Sequence, residues 1–205
     1  MLHCEYEAFT DPRISGIGTK LSHDSPPLRI LGVDPGTATV GYGVLDLQVG
    51  RGESLGYVAS GIISTPKTSP PGARLSIIRE DLISLINEYE PDVAVVEQIF
   101  FFKNAKTLVP VAQARGVIVE TLSCMNVATV EYTPMQVKLH LTGHGRADKR
   151  MVQDMIARLL NLPTIIRPDD ASDALAMAVC HARLSLNGAL SAGFQQPSSR
   201  QPAAT

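Results

Sequence analysis

The chain has 205 residues, is 44% hydrophobic and 19% charged, and carries a formal net charge of -2 at pH 7. That length suits one domain with a sizeable core, and the near-balanced charge means that any nucleic-acid partner must be found in local patches. No apolar run approaches the roughly 20 residues of a membrane span, the opening residues lack the apolar segment of a signal peptide, and three scattered cysteines (Cys4, Cys124, Cys180) argue for a reducing compartment and against a disulfide framework or a Cys-type zinc site. The expectation is a soluble, cytoplasmic protein without a membrane partner.

In chain order, residues 1–27 mix His, Ser, Pro, Gly and scattered charge without an apolar period and read as a poorly ordered extension. Ile30, Leu31 and Val33 make a short, β-branched run that predicts a buried strand. Asp34 ends it, Pro35-Gly36 turn the chain, and a second apolar run from Val40 to Leu47, thinned by Gly41 and Gly43, completes a hairpin. Leu55 to Ser64 reads as a third strand, and Leu75, Ile78, Leu82, Leu85 and Ile86 give helical spacing over Ala73 to Tyr89. Val93 to Val96 is a strand of the kind buried on both faces, ended by Glu97. A helix from about Ala105 to Met125 and a strand from Val127 to Tyr132 follow, then a short helix from Pro134 to His140 broken by Thr142-Gly143-His144-Gly145. Asp148 to Leu160 predicts a helix with Met151, Met155, Ile156 and Leu159 on one face, and Asp170 to Leu186 a final helix built on Leu175, Ala178, Val179 and Ala182. From Gly188 onward the composition predicts a disordered tail. The organisation is therefore an extension (1–27), one α/β domain (28–187) with a mixed five-stranded sheet and helices on both faces, and a tail (188–205).

Four carboxylates stand out. Asp34 and Glu97 end separate buried strands, and Asp170 and Asp173, spaced i, i+3, share one face at the start of the last helix. Three of them have a structural explanation on their own: Asp34 as a turn cap, Asp170 and Asp173 as helix-start acids. Glu97 resists one, because Glu at the end of an apolar strand forms no turn. A carboxylate inside a sheet is costly unless paired or metal-bound, and acids without neighbouring Cys or His make a hard-oxygen site for Mg²⁺ or Mn²⁺. Two such ions about 3.5–4 Å apart suit phosphodiester cleavage.

In order, I-L-G-V-D-P-G-T-A-T-V-G-Y-G-V, V-V-E-Q-I-F-F-F-K-N-A, V-A-Q-A-R-G-V and D-D-A-S-D-A-L-A-M-A closely resemble the RuvC family of bacterial Holliday junction resolvases, over about Arg29 to Leu186. The resemblance implies a ribonuclease H-like fold and a homodimer gripping a four-way DNA junction. It also implies Mg²⁺-dependent nicking of two opposed strands, leaving 5′-phosphate and 3′-hydroxyl ends, with RuvA and RuvB as branch-migration partners. The family's acidic residues fall on Asp34, Glu97, Asp170 and Asp173, where some members carry His at the third. Its aromatic after the Glu matches Phe100, which implies a wedge against bases, and its DNA-contacting lysines match Lys138 and Lys149. The extension before Arg29 departs from the family, whose chains start close to the first strand.

Two stretches point to DNA without the family. Gln98 to Val119 holds Lys103, Lys106 and Arg115 and no acid, beside Phe100-Phe101-Phe102; Lys138 to Arg158 holds Lys138, Arg146, Lys149, Arg150 and Arg158 against Asp148 and Asp154, with His140 and His144. Basic side chains contact phosphates and aromatics stack on unpaired bases, whereas solvated helix faces and a core-facing Phe are the plainer explanations. Gly143 and Gly145 disfavour the helix that would align His140 and His144 as a zinc pair, and His144 is a candidate contact to the scissile phosphate. Cys180 and His181 read as packing residues.

Three rivals stay in view. An actin-like kinase also starts with a strand running into Asp-x-Gly, but needs a second Asp-Gly turn in a second domain. A junction-recognising module without chemistry should not keep four acids beside a phosphate backbone. A nuclease of the same fold acting on RNA–DNA hybrids shares the metal site and differs in substrate.

Overall fold

The computed structural model describes residues 26–48, 54–98 and 105–193. Five strands, β1 (Leu28–Asp34), β2 (Thr39–Gln48), β3 (Ser54–Ser64), β4 (Val93–Glu97) and β5 (Ala128–Tyr132), form one sheet in the order β3-β2-β1-β4-β5. β1 pairs antiparallel with β2 and parallel with β4, and β4 is parallel to β5. The tight connections among the leading strands permit only antiparallel pairing, while the later helical crossovers place β4 and β5 parallel. Five helices accompany them among the described residues: α1 (Pro71–Tyr89), α2 (Ala105–Cys124), α3 (Pro134–Thr142), α4 (Lys149–Leu159) and α5 (Asp169–Gly193).

Strand alternation divides the core in two. Leu31, Val33, Val40, Val44, Ala94 and Val96 point to one face, where α1 contributes Ile78, Leu82 and Ile86 and α2 contributes Ala114, Ile118 and Leu122. Ile30, Leu45, Leu47, Val93 and Val95 point to the other, against Val137 and Leu141 of α3, Val152 and Ile156 of α4 and the alanine-rich flank of α5. The expected mixed five-stranded sheet covered on both faces is thus what the chain forms. Helix starts follow local chemistry. Thr133 and Gln136 make a reciprocal capping box on α3, and Asp148 caps α4 by accepting from Met151 N at 2.8 Å. Gly143, at φ 76°, ends α3 in the left-handed conformation that glycine tolerates, so the helix stops between His140 and His144.

α5 comes down onto β1 and β2 where glycines leave the sheet without side chains. A Cβ on Gly32 would fall 1.9 Å from the Ala174 carbonyl oxygen, and one on Gly41 would fall 2.0 Å from that of Asp170. Gly41 stands opposite Asp34 across the β1–β2 pair. The glycines that thin β2 in the sequence are therefore the seat of the helix that carries two of the four acids.

Two expectations need correction. On α4 the buried residues are Val152, Gln153 and Ile156, with Met155 and Leu159 packed against the core, and Met151 is exposed. The inward stripe is turned by one residue from the one predicted, because Val152 and Ile156, spaced i, i+4, carry it. α5 also continues through Gly188 to Gly193, past the point where the tail was expected to begin. Ala189, Leu190 and Ala192 are strong helix formers, and an internal glycine costs a helix only about 1 kcal/mol.

Candidate active site

Asp34 is the last residue of β1, the central strand, and Glu97 the last of β4 beside it. The parallel register pairs Val33 with Val96, so the two acids follow at equivalent positions. By strand alternation both belong to the face covered by α5. Burial pushes the Asp34 carboxyl up to about 8, with the charges of Glu97, Asp173 and Asp170 pushing the same way and Lys149 opposing them. Glu97 is also raised, by burial and then by Asp173. Asp34 thus feels the charge of each of the other three acids that the sequence grouped.

α5 delivers the other two. Asp170, in its first turn, accepts a 2.6 Å hydrogen bond from Thr39 Oγ1 at the start of β2. Asp173, one turn on, takes a 2.8 Å hydrogen bond from Lys149 Nζ, which also lies 3.3 Å from Asp169. Asp169 instead bonds side chains off the sheet: Gln153 and Arg167 donate to its Oδ1, and the Lys149 hydrogen bond first of all holds its carboxyl below the usual range. Of the adjacent pair, Asp170 is the one bonded to the sheet.

Other groups hold this frame and were not predicted. The turn after Asp34 is clamped: Thr65 N donates to Ala38 O at 3.0 Å, Thr65 Oγ1 to Thr37 O at 2.6 Å, and Arg74 donates to Thr37 O at 2.5 Å and to Thr65 Oγ1 at 2.8 Å. At the base of β1, Arg29 forms a two-point ion pair with Asp46. Its only sequence signal is an Arg opposite an Asp once the hairpin register is known. Arg115, grouped with the DNA-facing basic residues, is instead ion-paired with Glu131 and donates to Glu97 O at 3.3 Å, bracing the end of β4. Its acid lay outside the acid-free window that made it look unpaired.

Of the predicted DNA contacts, Phe100 and Lys103 lie outside the described residues. Lys138 is half-buried on α3, Arg146 is exposed in the turn before α4, and Lys149 is committed to the acids. His144 is exposed, with its backbone N–H bonded to Thr142. Cys180 and His181 are buried, as expected; His181 Nδ1 meets the Tyr132 hydroxyl at 2.9 Å, and burial lowers its pKa to about 4, so it is neutral at pH 7.

Among the described residues, no three His, Cys, Asp or Glu side chains stand as a ready-made metal-ligand group. Two of the four acids are held by Thr39 and Lys149 as they stand. The donor chemistry nevertheless fits a hard divalent cation: the acids are all oxygen ligands, and the carboxyl at their centre is driven toward its neutral form by burial and by its neighbours. Such a centre favours a cation that would restore the charge on Asp34.

Residues 30–181 match the family model described as "Crossover junction endodeoxyribonuclease RuvC". A protein of that name from Syntrophomonas wolfei is 46% identical over 154 residues, which cover 75% of this chain and 88% of the relative. The structure of Thermus thermophilus RuvC superposes with a TM-score of 0.72 at 28% identity, covering 78% of this chain and 97% of that one. The same organism's RuvC in complex with Holliday junction substrate gives a TM-score of 0.70 at 25% identity, with the same coverage. Acids at the ends of β1 and β4 and at the head of α5, on a ribonuclease H-like sheet, therefore sit within an ordered match over most of the domain: the chain belongs to the RuvC family of crossover junction endodeoxyribonucleases.

Proposed function

We propose that the chain resolves four-way DNA junctions by paired, metal-dependent nicks that leave 5′-phosphate and 3′-hydroxyl ends, with Asp34, Glu97, Asp170 and Asp173 as the acidic set. The observation that carries the residue assignment is the convergence of Asp34 and Glu97, on adjacent parallel strand ends, with the head of α5. Mg²⁺ is the cation of choice, two ions per subunit with Mn²⁺ able to substitute; when bound it lowers the pKa of the attacking water and neutralises the phosphate. Asp34 stands at the centre of the set, Glu97 and Asp173 flank it, and Asp170 completes it. No side chain needs to act as nucleophile.

Phe100, Lys103, Lys138, Arg146 and Lys149 would face the DNA, the basic groups toward phosphates and Phe100 toward unstacked bases. Lys149 is near enough to the acids to meet the scissile region. A homodimer places two such sites against the two opposed strands, as the two-fold character of a junction asks, with RuvA and RuvB moving the branch point. No helix among the described residues is long and apolar enough to cross a membrane, and the proposed setting is the cytoplasm.

Amide variants test the assignment. Asp34→Asn, Glu97→Gln and Asp173→Asn should bind a labelled four-way junction within about twofold of wild type yet nick it at least about 100-fold more slowly, as expected when a metal ligand is lost from such a centre. Parallel loss of binding and cleavage in a folded variant would count against the assignment.

A further inference from the structure

We propose that Thr39 is a positioning residue for Asp170: its hydroxyl sets the plane of the carboxylate, so that Asp170 is presented to the cation site in one orientation. This rests on the reading of Asp170 as one of the acidic set.

Among the described residues the four acids are held in different ways. Asp34 and Glu97 are fixed through the sheet backbone, and Asp173 is held by the flexible Lys149 side chain. Asp170 is tied by a neutral donor, Thr39 Oγ1, at 2.6 Å across 131 residues of sequence. A neutral donor suits this place. It bonds a carboxylate strongly without adding a positive charge that would compete with a bound cation. It takes up Oδ2, and Oδ1 is the oxygen left to offer.

The donor is itself preorganised. Thr39 is β-branched and stiff about χ1, its backbone is paired with Ser64 in the β2–β3 ladder, and the turn before it is clamped by Thr65 and Arg74. By strand alternation Thr39 shares the face of Gly41, whose missing side chain lets the Asp170 backbone come down onto β2. Backbone approach and side-chain bond thus converge on the same residue. Removing the hydroxyl while keeping the shape, as in Thr39→Val, frees the carboxylate to rotate and leaves the packing in place.

The test compares Thr39→Val, Thr39→Ser and Asp170→Asn with wild type in three readouts: Mn²⁺ affinity of the protein alone by titration calorimetry, junction affinity in Ca²⁺, and single-turnover nicking of a labelled four-way junction. Thr39→Val should weaken Mn²⁺ binding and slow nicking by about tenfold each, the low end for a hydrogen bond to a charged group. It should leave junction affinity within about twofold, and Thr39→Ser should recover most of the loss. Wild-type Mn²⁺ affinity and rate in Thr39→Val, beside loss of both in Asp170→Asn, would overturn the proposal and leave the site assignment standing. Equal impairment in Val and Ser variants would also overturn it, since the hydroxyl would then be irrelevant. An Asp170→Asn protein that binds Mn²⁺ and cuts like wild type would overturn the site assignment and this proposal together.

Discussion

Asp34 carries the largest electrostatic cost among the four acids. An aspartate in an unfolded chain ionises near 4, whereas here burial first, and the neighbouring acids next, push it to about 8. Between those values the folded protein holds a proton that the unfolded chain releases. The stability contributed by this group is complete below about pH 4 and is lost as the pH climbs through about 8. Metal-free protein should therefore melt at progressively lower temperature across that window, and Asp34→Asn should flatten the decline. At pH 8 and above the metal-free variant should melt several degrees above wild type, since about 1 kcal/mol corresponds to a few degrees in a domain of this size. Saturating Mg²⁺ should raise the wild-type melting temperature and leave that of Asp34→Asn nearly unmoved. A flat metal-free profile for wild type, measured by calorimetry, would show that the carboxyl is not held neutral. Asp34 and Glu97 were legible in the sequence because each ends an apolar strand run, and Glu97 there has no turn-forming role. The Thr39–Asp170 bond was not, because residues 131 apart are joined only by the sheet register and the seating of α5. Lys149 was read as a phosphate contact, and its pairing with Asp169 and Asp173 likewise emerges only from tertiary packing.

At the scale of elements, the site depends on how closely α5 can approach β1 and β2. Gly41→Ala places a methyl 2.0 Å from the Asp170 carbonyl oxygen, a clash with backbone that nothing flexible can relieve. The helix must lift. Overpacking of this kind costs about 1–3 kcal/mol, so the variant should melt several degrees lower and cut at least about 100-fold more slowly. Gly72→Ala in α1 is the control, since nothing lies within 4 Å of its new methyl; both rate and stability should hold. If Gly41→Ala retained full cleavage, the acids could not depend on the seating of α5. Helices and strands were readable because their periods differ, 3.6 against 2.0. The face that α4 buries was harder: Met151 and Val152 lie about 100° apart on the helix, and only the position of the sheet decides which of them turns inward.

For the whole molecule, strand alternation sends one face of the sheet to α1 and α2 as plain core and gives the other to α3, α4 and α5, where the acids gather. On the proposed assignment, chemistry and scaffold are separated by a single layer of strands. The same acidic set would serve a nuclease of this fold acting on an RNA–DNA hybrid, so substrate choice is what has to be measured. The most direct measurement is cleavage of a labelled synthetic four-way junction in Mg²⁺, beside linear duplex and RNA–DNA hybrid of the same sequence. Paired nicks in opposed strands of the junction alone, sealed by ligase, are the predicted result. Cutting of the hybrid in place of the junction, or junction binding without cutting in Mg²⁺ or Mn²⁺, would contradict it.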